Sequence, residues 1–111
     1  MSPQLQNQNA SFLLIQKHLK VPISEIVFFE AEQNYTHAHM RNGKRLTIAR
    51  TLKDFEIALE NHQFYRIHRA FLVNKSHLKG TNSVLGEVIL TNNHRIVASR
   101  RRKYIFENMI N

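Results

Sequence analysis

The sequence predicts a mostly β domain with two short helices. Short apolar or β-branched runs of strand length recur along the chain, and two of the gaps between them hold Asn42-Gly43 and Asn92-Asn93, dipeptides typical of hairpin turns. Two other stretches place apolar residues at helical spacing after Thr51 and Ser99. We therefore expect small, mainly antiparallel sheets, one helix near residues 51–60 and another near residues 100–110.

The strand predictions follow from apolar or β-branched runs bounded by turn-forming residues. Pro22 and the polar residues before it separate the first two runs, and a break at His68-Arg69 separates the fifth from the sixth. The predicted strands are residues 11–17, 26–31, 35–40, 45–48, 64–67, 71–74, 87–90 and 95–98.

The first predicted helix begins after Thr51, whose hydroxyl can cap the backbone N–H of Asp54 three residues on. Leu52, Phe55 and Leu59 then fall on one face, at the spacing of an amphipathic helix. This segment is therefore predicted to pack one apolar face against a sheet.

The second predicted helix begins after Ser99, also a favourable N-cap residue. Its first turn is Arg100–Lys103, four cations at the helix end that favours negative charge. Such a placement costs roughly 0.3 kcal/mol or more unless an anion binds, so it indicates a phosphate-bearing partner. The apolar face of this helix comprises Ile105, Phe106, Met109 and Ile110.

Length and composition indicate one intracellular domain. The chain has 111 residues, 42% of them hydrophobic, which is enough for a single core. It has no cysteine, so it offers no disulfide and no thiolate. Residues 1–10 are predicted to be a flexible polar N-terminus and residues 11–111 the folded domain. No signal peptide or membrane span is predicted, and we expect a cytoplasmic protein.

The net charge of +8 lies in one third of the chain. Residues 66–103 hold nine basic residues and one acid, whereas the rest of the chain is nearly balanced. Concentrated positive charge of this kind is typical of a surface that binds a polyanion, although a solubilising basic face is the alternative. The basic residues are Arg66, Arg69, Lys75, Lys79, Arg95, Arg100, Arg101, Arg102 and Lys103.

The sequence does not favour an enzyme or a metal site. His37 and His39 share one face of a predicted strand, but the other histidines have no ligand spacing to this pair. Glu30 and Glu32 are the nearest approach to paired catalytic carboxylates, and few other catalytic groups accompany them. There is no Gly-x-Ser-x-Gly elbow and no glycine-rich phosphate loop, so we predict no catalytic residue, no metal and no cofactor.

Within the basic third, the residue types suit recognition of bases and phosphates. Arg69 and Arg101 each carry a planar fork that can bind guanine, and Asn34 is the type of side chain that pairs with adenine. Lysines such as Lys75 and Lys79 would hold phosphates without reading sequence.

Two residues of this segment have a structural alternative. Arg66 is either a cation of the interface or the ion-pair partner of Glu56 or Glu60 in the first helix. His68 is either a phosphate contact or a hydrogen-bonded turn residue.

These features resemble the LytTR family of bacterial DNA-binding domains. The similarity runs from about Phe12 to Met109, and its core motif, F-x-R-I-H-R-[SA]-F-x-V-N, stands at Phe64–Asn74. A downstream Ser-Arg-Arg follows at Ser99. Ala70 stands where the family usually has serine, and Arg100–Lys103 is more basic than the family requires.

The resemblance implies an elongated fold of about ten short, mainly antiparallel strands in small sheets. It also implies a sequence-specific regulator of transcription that inserts three loops into successive major grooves of double-stranded DNA. By motif, the base contacts fall to Asn34, Arg69 and Arg101. The implied phosphate contacts are Tyr35, His68, Lys75, Ser99, Arg100 and Arg102.

The resemblance also implies partners. Family members are usually output domains of two-component response regulators, and they bind paired direct repeats as dimers. A receiver domain would need on the order of 120 further residues, so we expect either a stand-alone regulator or a fragment. A non-specific polyanion-binding or RNA-binding module is the alternative function, although the paired aromatics of an RNA-recognition sheet are absent.

Overall fold

A computed structural model describes residues 11–111, so the predicted flexible N-terminus at residues 1–10 lies outside the described residues. The described chain forms ten strands and two α-helices. The strands are β1 Phe12–Gln16, β2 Leu19–Pro22, β3 Ile26–Glu32, β4 Tyr35–Met40, β5 Arg45–Ile48, β6 Phe64–His68, β7 Phe71–Asn74, β8 Leu78–Asn82, β9 Glu87–Leu90 and β10 His94–Val97. The helices are α1 Leu52–Ala58 and α2 Lys103–Ile110.

The strands form three antiparallel sheets, as predicted. A two-stranded sheet pairs β1 with β2, a three-stranded sheet has the order β10-β9-β8, and a five-stranded sheet has the order β5-β4-β3-β7-β6. The described residues span 45 × 36 × 24 Å, so the domain is nearly twice as long as it is thick.

The five-stranded sheet is buried on both faces. Phe29 and Leu72 point to one face, where they share a core with the β1–β2 hairpin and α1. Phe28 and Val73, one position away on the same strands, point to the other face and pack with the three-stranded sheet and α2. Neighbouring residues on a strand face opposite sides, so a run of consecutive apolar residues is what a doubly covered strand requires.

Both predicted hairpins form, each with left-handed turn residues. Asn92 and Asn93 have φ of 67° and 63° between β9 and β10. Gly43 has φ of 90° between β4 and β5, and its N–H donates to the Met40 carbonyl at 3.0 Å. The turn between β4 and β5 therefore holds four residues, as the predicted strand bounds imply, and it closes on a left-handed glycine.

The helix predictions hold with one correction. Thr51 caps α1 by accepting from the Asp54 N–H at 3.2 Å, as predicted. Ser99 does not cap the second helix: its side chain accepts no capping hydrogen bond, and Arg100–Arg102 form one 3₁₀ turn before α2 begins at Lys103. No helix among residues 11–111 is long and apolar enough to cross a membrane.

Two strands, β2 and β8, were not predicted individually. In β2 only Val21 is buried, and the strand ends at Pro22, which the sequence marks as a turn. In β8 no residue is fully buried and Gly80 lies in the middle. Both strands are held by pairing with a neighbour rather than by an apolar pattern, so periodicity gives no signal for them.

Candidate nucleic-acid interface

Two turns meet at one end of the five-stranded sheet. The β3–β4 and β6–β7 turns lie at the same end, because β3 runs antiparallel to both β4 and β7, and β6 runs antiparallel to β7. The backbone N–H of Ala31, near the end of β3, donates to the carbonyl of Ala70 in the β6–β7 turn at 2.8 Å. The structure thus brings together the turn that carries Asn34 and the turn that carries Arg69.

A third segment, Ser99–Arg102, docks on β6 beside the second turn. The N–H of Ser99 donates to the carbonyl of Ile67 at 2.9 Å. Nη1 of Arg102 donates to the carbonyl of Arg66 at 3.3 Å. These two hydrogen bonds hold both ends of the segment on the strand that leads into the Arg69 turn.

The guanidinium of Arg66 stabilises the Arg69 turn through a hydrogen bond to its backbone. Its Nη2 donates to the carbonyl of Arg69 at 2.5 Å, and its Nη1 donates to Oε1 of Glu56 on α1 at 3.0 Å. The Arg66 side chain is 16% exposed, whereas Arg69 is exposed. Arg66 therefore takes the ion-pair role with Glu56, and Arg69 is the arginine that this turn presents to solvent.

His68 is tied into the same turn through one ring nitrogen. Its Nδ1 accepts from the N–H of Ala70 at 3.0 Å, and its ring packs against Phe71 with centroids 5.3 Å apart. In a neutral imidazole the other nitrogen then carries the proton, so Nε2 is the donor. His68 is therefore the hydrogen-bonded turn residue that the sequence offered as one alternative. The same hydrogen bond orients its Nε2–H, which can donate to a phosphate oxygen.

The β3–β4 turn consists of two residues, Gln33 and Asn34, between the paired positions Glu32 and Tyr35. Gln33 has φ of 55°, a left-handed backbone that glycine adopts more easily. Asn34 is exposed and Tyr35 is 50% exposed. The predicted base contact and its predicted phosphate neighbour are thus both accessible at this end.

A cleft of about 430 Å³ lies between the two turns. Gln33 was not predicted as a member of this site, and its only signal in the sequence is its place in the three-residue gap between the predicted strands 26–31 and 35–40. The lining residues are Ala31, Gln33, Arg66, Arg69 and Ala70.

The three arginines of the Ser99–Arg102 segment differ in accessibility. Arg100 and Arg101 are exposed, and Arg102 is half-buried against β6. Ser99 is half-buried and anchored through its backbone. The structure therefore leaves Arg100 and Arg101 available to a ligand and gives Arg102 an anchoring contact.

Lys75 is the predicted site residue that the structure does not bring to this end. It follows β7, which runs away from the Arg69 turn for four residues. Its N–H donates to the carbonyl of Gln63, next to the start of β6. At roughly 3.4 Å per residue, Lys75 stands more than 10 Å along the sheet from the turn.

The histidine and carboxylate candidates are paired with one another. Nε2 of His37 donates to Glu32 at 2.5 Å, and Nε2 of His39 donates to Glu30 at 2.9 Å. The hydrogen bond from His37, together with its charge, lowers the pKa of Glu32. Among residues 11–111, no three histidine or acidic side chains are grouped to hold a metal ion.

Two comparisons with known proteins identify the kind of domain that the sequence motif resembles. The family model for the LytTr DNA-binding domain matches residues 16–111. One solved structure is the LytTr DNA-binding domain of a protein described as a methyl-accepting/DNA response regulator from Bacillus cereus. It superposes with a TM-score of 0.76 at 24% identity, covering 90% of this chain and 96% of that one. A search of curated proteins found no match.

Proposed function

The chain belongs to the LytTR family of DNA-binding domains, and from that premise we propose that it is a sequence-specific transcriptional regulator. In this proposal, loops at one end of the five-stranded sheet enter successive major grooves of a double-stranded promoter site. The binding surface comprises the β3–β4 turn, the β6–β7 turn and the Ser99–Arg102 segment.

The observation that carries the proposal is the joining of these three segments by backbone hydrogen bonds. Ala70 bonds to Ala31 in β3 and Ser99 bonds to Ile67 in β6, so the β6–β7 turn and the Ser99–Arg102 segment are both anchored on strands of one sheet. A preorganised set of loops favours specific recognition, because little conformational entropy is lost on binding. The 45 Å length of the domain also exceeds the ~34 Å repeat of B-DNA, which supports contacts in more than one groove.

The exposed side chains suggest a division of roles. Asn34, Arg69 and Arg101 are exposed and of the types that pair with base edges, so we assign base reading to them. We assign phosphate contacts beside these base contacts to Arg100 and to Nε2 of His68.

The proposal extends to the arrangement of the protein on DNA. Paired direct repeats would be occupied by two copies, and a receiver domain or histidine-kinase pathway would supply the signal. A selection of bound duplexes from a random pool tests for the repeats, because it returns both the bound sequence and the spacing of its halves.

The test is a selection of bound duplexes from a random pool. We expect one enriched sequence, and log K for that duplex should fall with log salt at about −0.9 per neutralised phosphate. Structured RNA that competes as well as the selected duplex would instead support the polyanion-binding alternative. A pool that shows no enriched sequence would refute sequence specificity.

Arg69→Ala tests base reading directly. It should weaken the selected duplex by about 1–3 kcal/mol and leave random duplex nearly unchanged apart from one lost charge. Arg41→Ala is the matched control. Arg41 follows β4, six residues from the interface end, and its side chain is 63% exposed. Equal losses on selected and random duplex for Arg69→Ala would remove its base-reading role.

A further inference from the structure

The β8–β9 turn presents two consecutive apolar side chains to solvent. Val84 is 87% exposed and Leu85 is 58% exposed. Turn positions of this kind are usually glycine, asparagine, aspartate or serine, and isolated exposed apolar residues are common whereas adjacent pairs at a tip are not. These two side chains add little to the buried core, so their apolar character suggests a contact outside the domain.

Hydrogen bonds hold the tip on both sides. Oδ1 of Asn82 accepts from the N–H groups of Val84 and Leu85 at 3.1 and 3.3 Å. On the other side, Gly86 has φ of 69° and its carbonyl accepts from the N–H of Ala98 at 2.8 Å. The two apolar side chains are thus displayed on a backbone fixed at both ends.

The same contacts place the tip beside the basic segment of the proposed interface. Ala98 directly precedes Ser99–Arg102, and a Cβ on Gly86 would lie 3.9 Å from Cε of Lys103. Backbone hydrogen bonds link these segments through residues in or next to them: Ala31 at the end of β3 to Ala70, Ile67 in β6 to Ser99, and Gly86 to Ala98 beside Ser99. The segments therefore lie in a row: the β3–β4 turn, the β6–β7 turn, the Ser99–Arg102 segment and the β8–β9 turn. We call these four segments the loop row.

We propose that the β8–β9 turn is a fourth DNA-contacting element, in which Val84 and Leu85 pack against thymine methyl groups. The inference rests on the proposed function. It follows from the position of the tip beside the other segments of the loop row and from the cations next to it, since Arg100–Lys103 draw the phosphate backbone to this position. The thymine methyl is the apolar feature of the major groove, so it is the ligand that an apolar tip can recognise.

The test uses the duplex selected by the wild-type protein, with each thymine replaced in turn by deoxyuracil. This replacement removes only the methyl group. For at least one thymine, wild-type affinity should fall about 4-fold, the effect of one buried methyl group. The double variant Val84→Ala with Leu85→Ala should bind the unmodified duplex about 3- to 10-fold more weakly and should be insensitive to that same replacement.

Ile57→Ala is the matched control. Ile57 is 58% exposed, like Leu85, but it lies on α1. This helix packs on the face of the five-stranded sheet opposite to the three-stranded sheet that carries the tip. The control should retain wild-type affinity and the wild-type response to deoxyuracil. Thermal unfolding of all variants checks the fold, and the substituted tip residues are exposed with ordinary backbone angles, so their melting temperatures should match the wild type.

The outcomes distinguish a failure of the tip contact from a failure of the proposed function. A wild-type protein that enriches no duplex refutes sequence specificity and the tip contact together. If a duplex is enriched, three results overturn the tip contact alone: an unaffected double variant, a double variant as sensitive to deoxyuracil as the wild type, or a wild type indifferent to every replacement.

Discussion

Nη2 of Arg66 donates to the backbone carbonyl of Arg69 at 2.5 Å, so one arginine of the family motif holds the turn that presents the other. The opposite side of the same guanidinium binds Glu56 on α1, and the Arg66 carbonyl accepts from Arg102. A single residue thus connects α1, the Arg69 turn and the Ser99–Arg102 segment. The two arginines carry equal charge but have different tasks, one positioning the turn and the other available to DNA.

Arg66→Met should therefore impair both stability and recognition. The methionine keeps an apolar stem but donates no hydrogen bond, and the loss of charged hydrogen bonds should lower the free energy of unfolding by about 1–3 kcal/mol. Affinity for the selected duplex should fall more than affinity for random duplex, because the Arg69 turn loses its fixed position. Urea unfolding and binding titrations measure the two effects.

Glu56→Gln tests whether the ion pair with Glu56 or the hydrogen bond to the Arg69 carbonyl gives Arg66 its effect on the turn. The glutamine oxygen can still accept from Nη1, so the Arg69 carbonyl contact should persist and specificity should be nearly that of the wild type. If Glu56→Gln relaxes specificity as much as Arg66→Met, the ion pair and not the carbonyl contact controls the turn.

His68→Asn isolates the phosphate contact proposed for His68. An asparagine oxygen can replace Nδ1 as acceptor for the Ala70 N–H, as in turns where asparagine bonds two residues on, but it cannot supply the Nε2 donor. We expect a folded variant that binds selected and random duplex more weakly by a similar factor, about 3- to 10-fold for one hydrogen bond. A loss confined to the selected duplex would instead indicate that His68 reads a base.

The family motif illustrates what the sequence could predict. Most of its residues are structural: Phe64 and Ile67 pack in the two cores, and Asn74 is 2% exposed. Nδ2 of Asn74 donates to the carbonyl of Ile26 at 2.8 Å, and its oxygen accepts from Ser76. The motif therefore identifies the fold, the turn and Arg69, whereas the ion pair of Arg66 with Glu56, one of two roles that the sequence left open, required the three-dimensional contacts.

The remaining parts of the site depend on contacts between residues far apart in the chain. The Ala98–Gly86 hydrogen bond brings the β8–β9 turn to the interface, and no periodicity within the Gly86 segment encodes it. Likewise, Lys75 follows the motif directly, yet β7 carries it away from the Arg69 turn. Its residue type and the family resemblance predicted a phosphate contact at Lys75, and the direction of β7 places Lys75 away from the Arg69 turn.

Arg100 and Arg101 are adjacent and both are exposed, and the proposal gives them different roles. Arg101→Ala should cost about 1–3 kcal/mol on the selected duplex and relax preference at one position. Arg100→Ala should weaken all duplexes alike and reduce the salt slope by about 1. Repeating the random-pool selection and the salt titration with each variant measures both effects. If Arg100→Ala relaxes the base preference and Arg101→Ala weakens all duplexes alike, the base contact belongs to Arg100.

His39 should make stability depend on pH. Its ring stacks on Phe28 with centroids 4.1 Å apart, and burial lowers its pKa below the ordinary value of 6.5, although the hydrogen bond to Glu30 opposes this. The charges of His94 and Arg45 act in the same direction as burial. Below about pH 6.5 the unfolded chain binds a proton that the folded chain resists, so the free energy of unfolding should fall as pH falls, by at most about 1.4 kcal/mol per pH unit.

His39→Phe keeps the stacked ring and removes the titrating group. Its free energy of unfolding, measured in urea between pH 5 and 8, should depend less on pH than that of the wild type. His62→Gln, at an exposed position, is the control and should retain the wild-type slope. An unchanged slope in His39→Phe would assign the pH dependence to other groups, whereas a reduced slope would identify the Phe28–His39 stack as a pH-sensitive contact in the core between the two larger sheets.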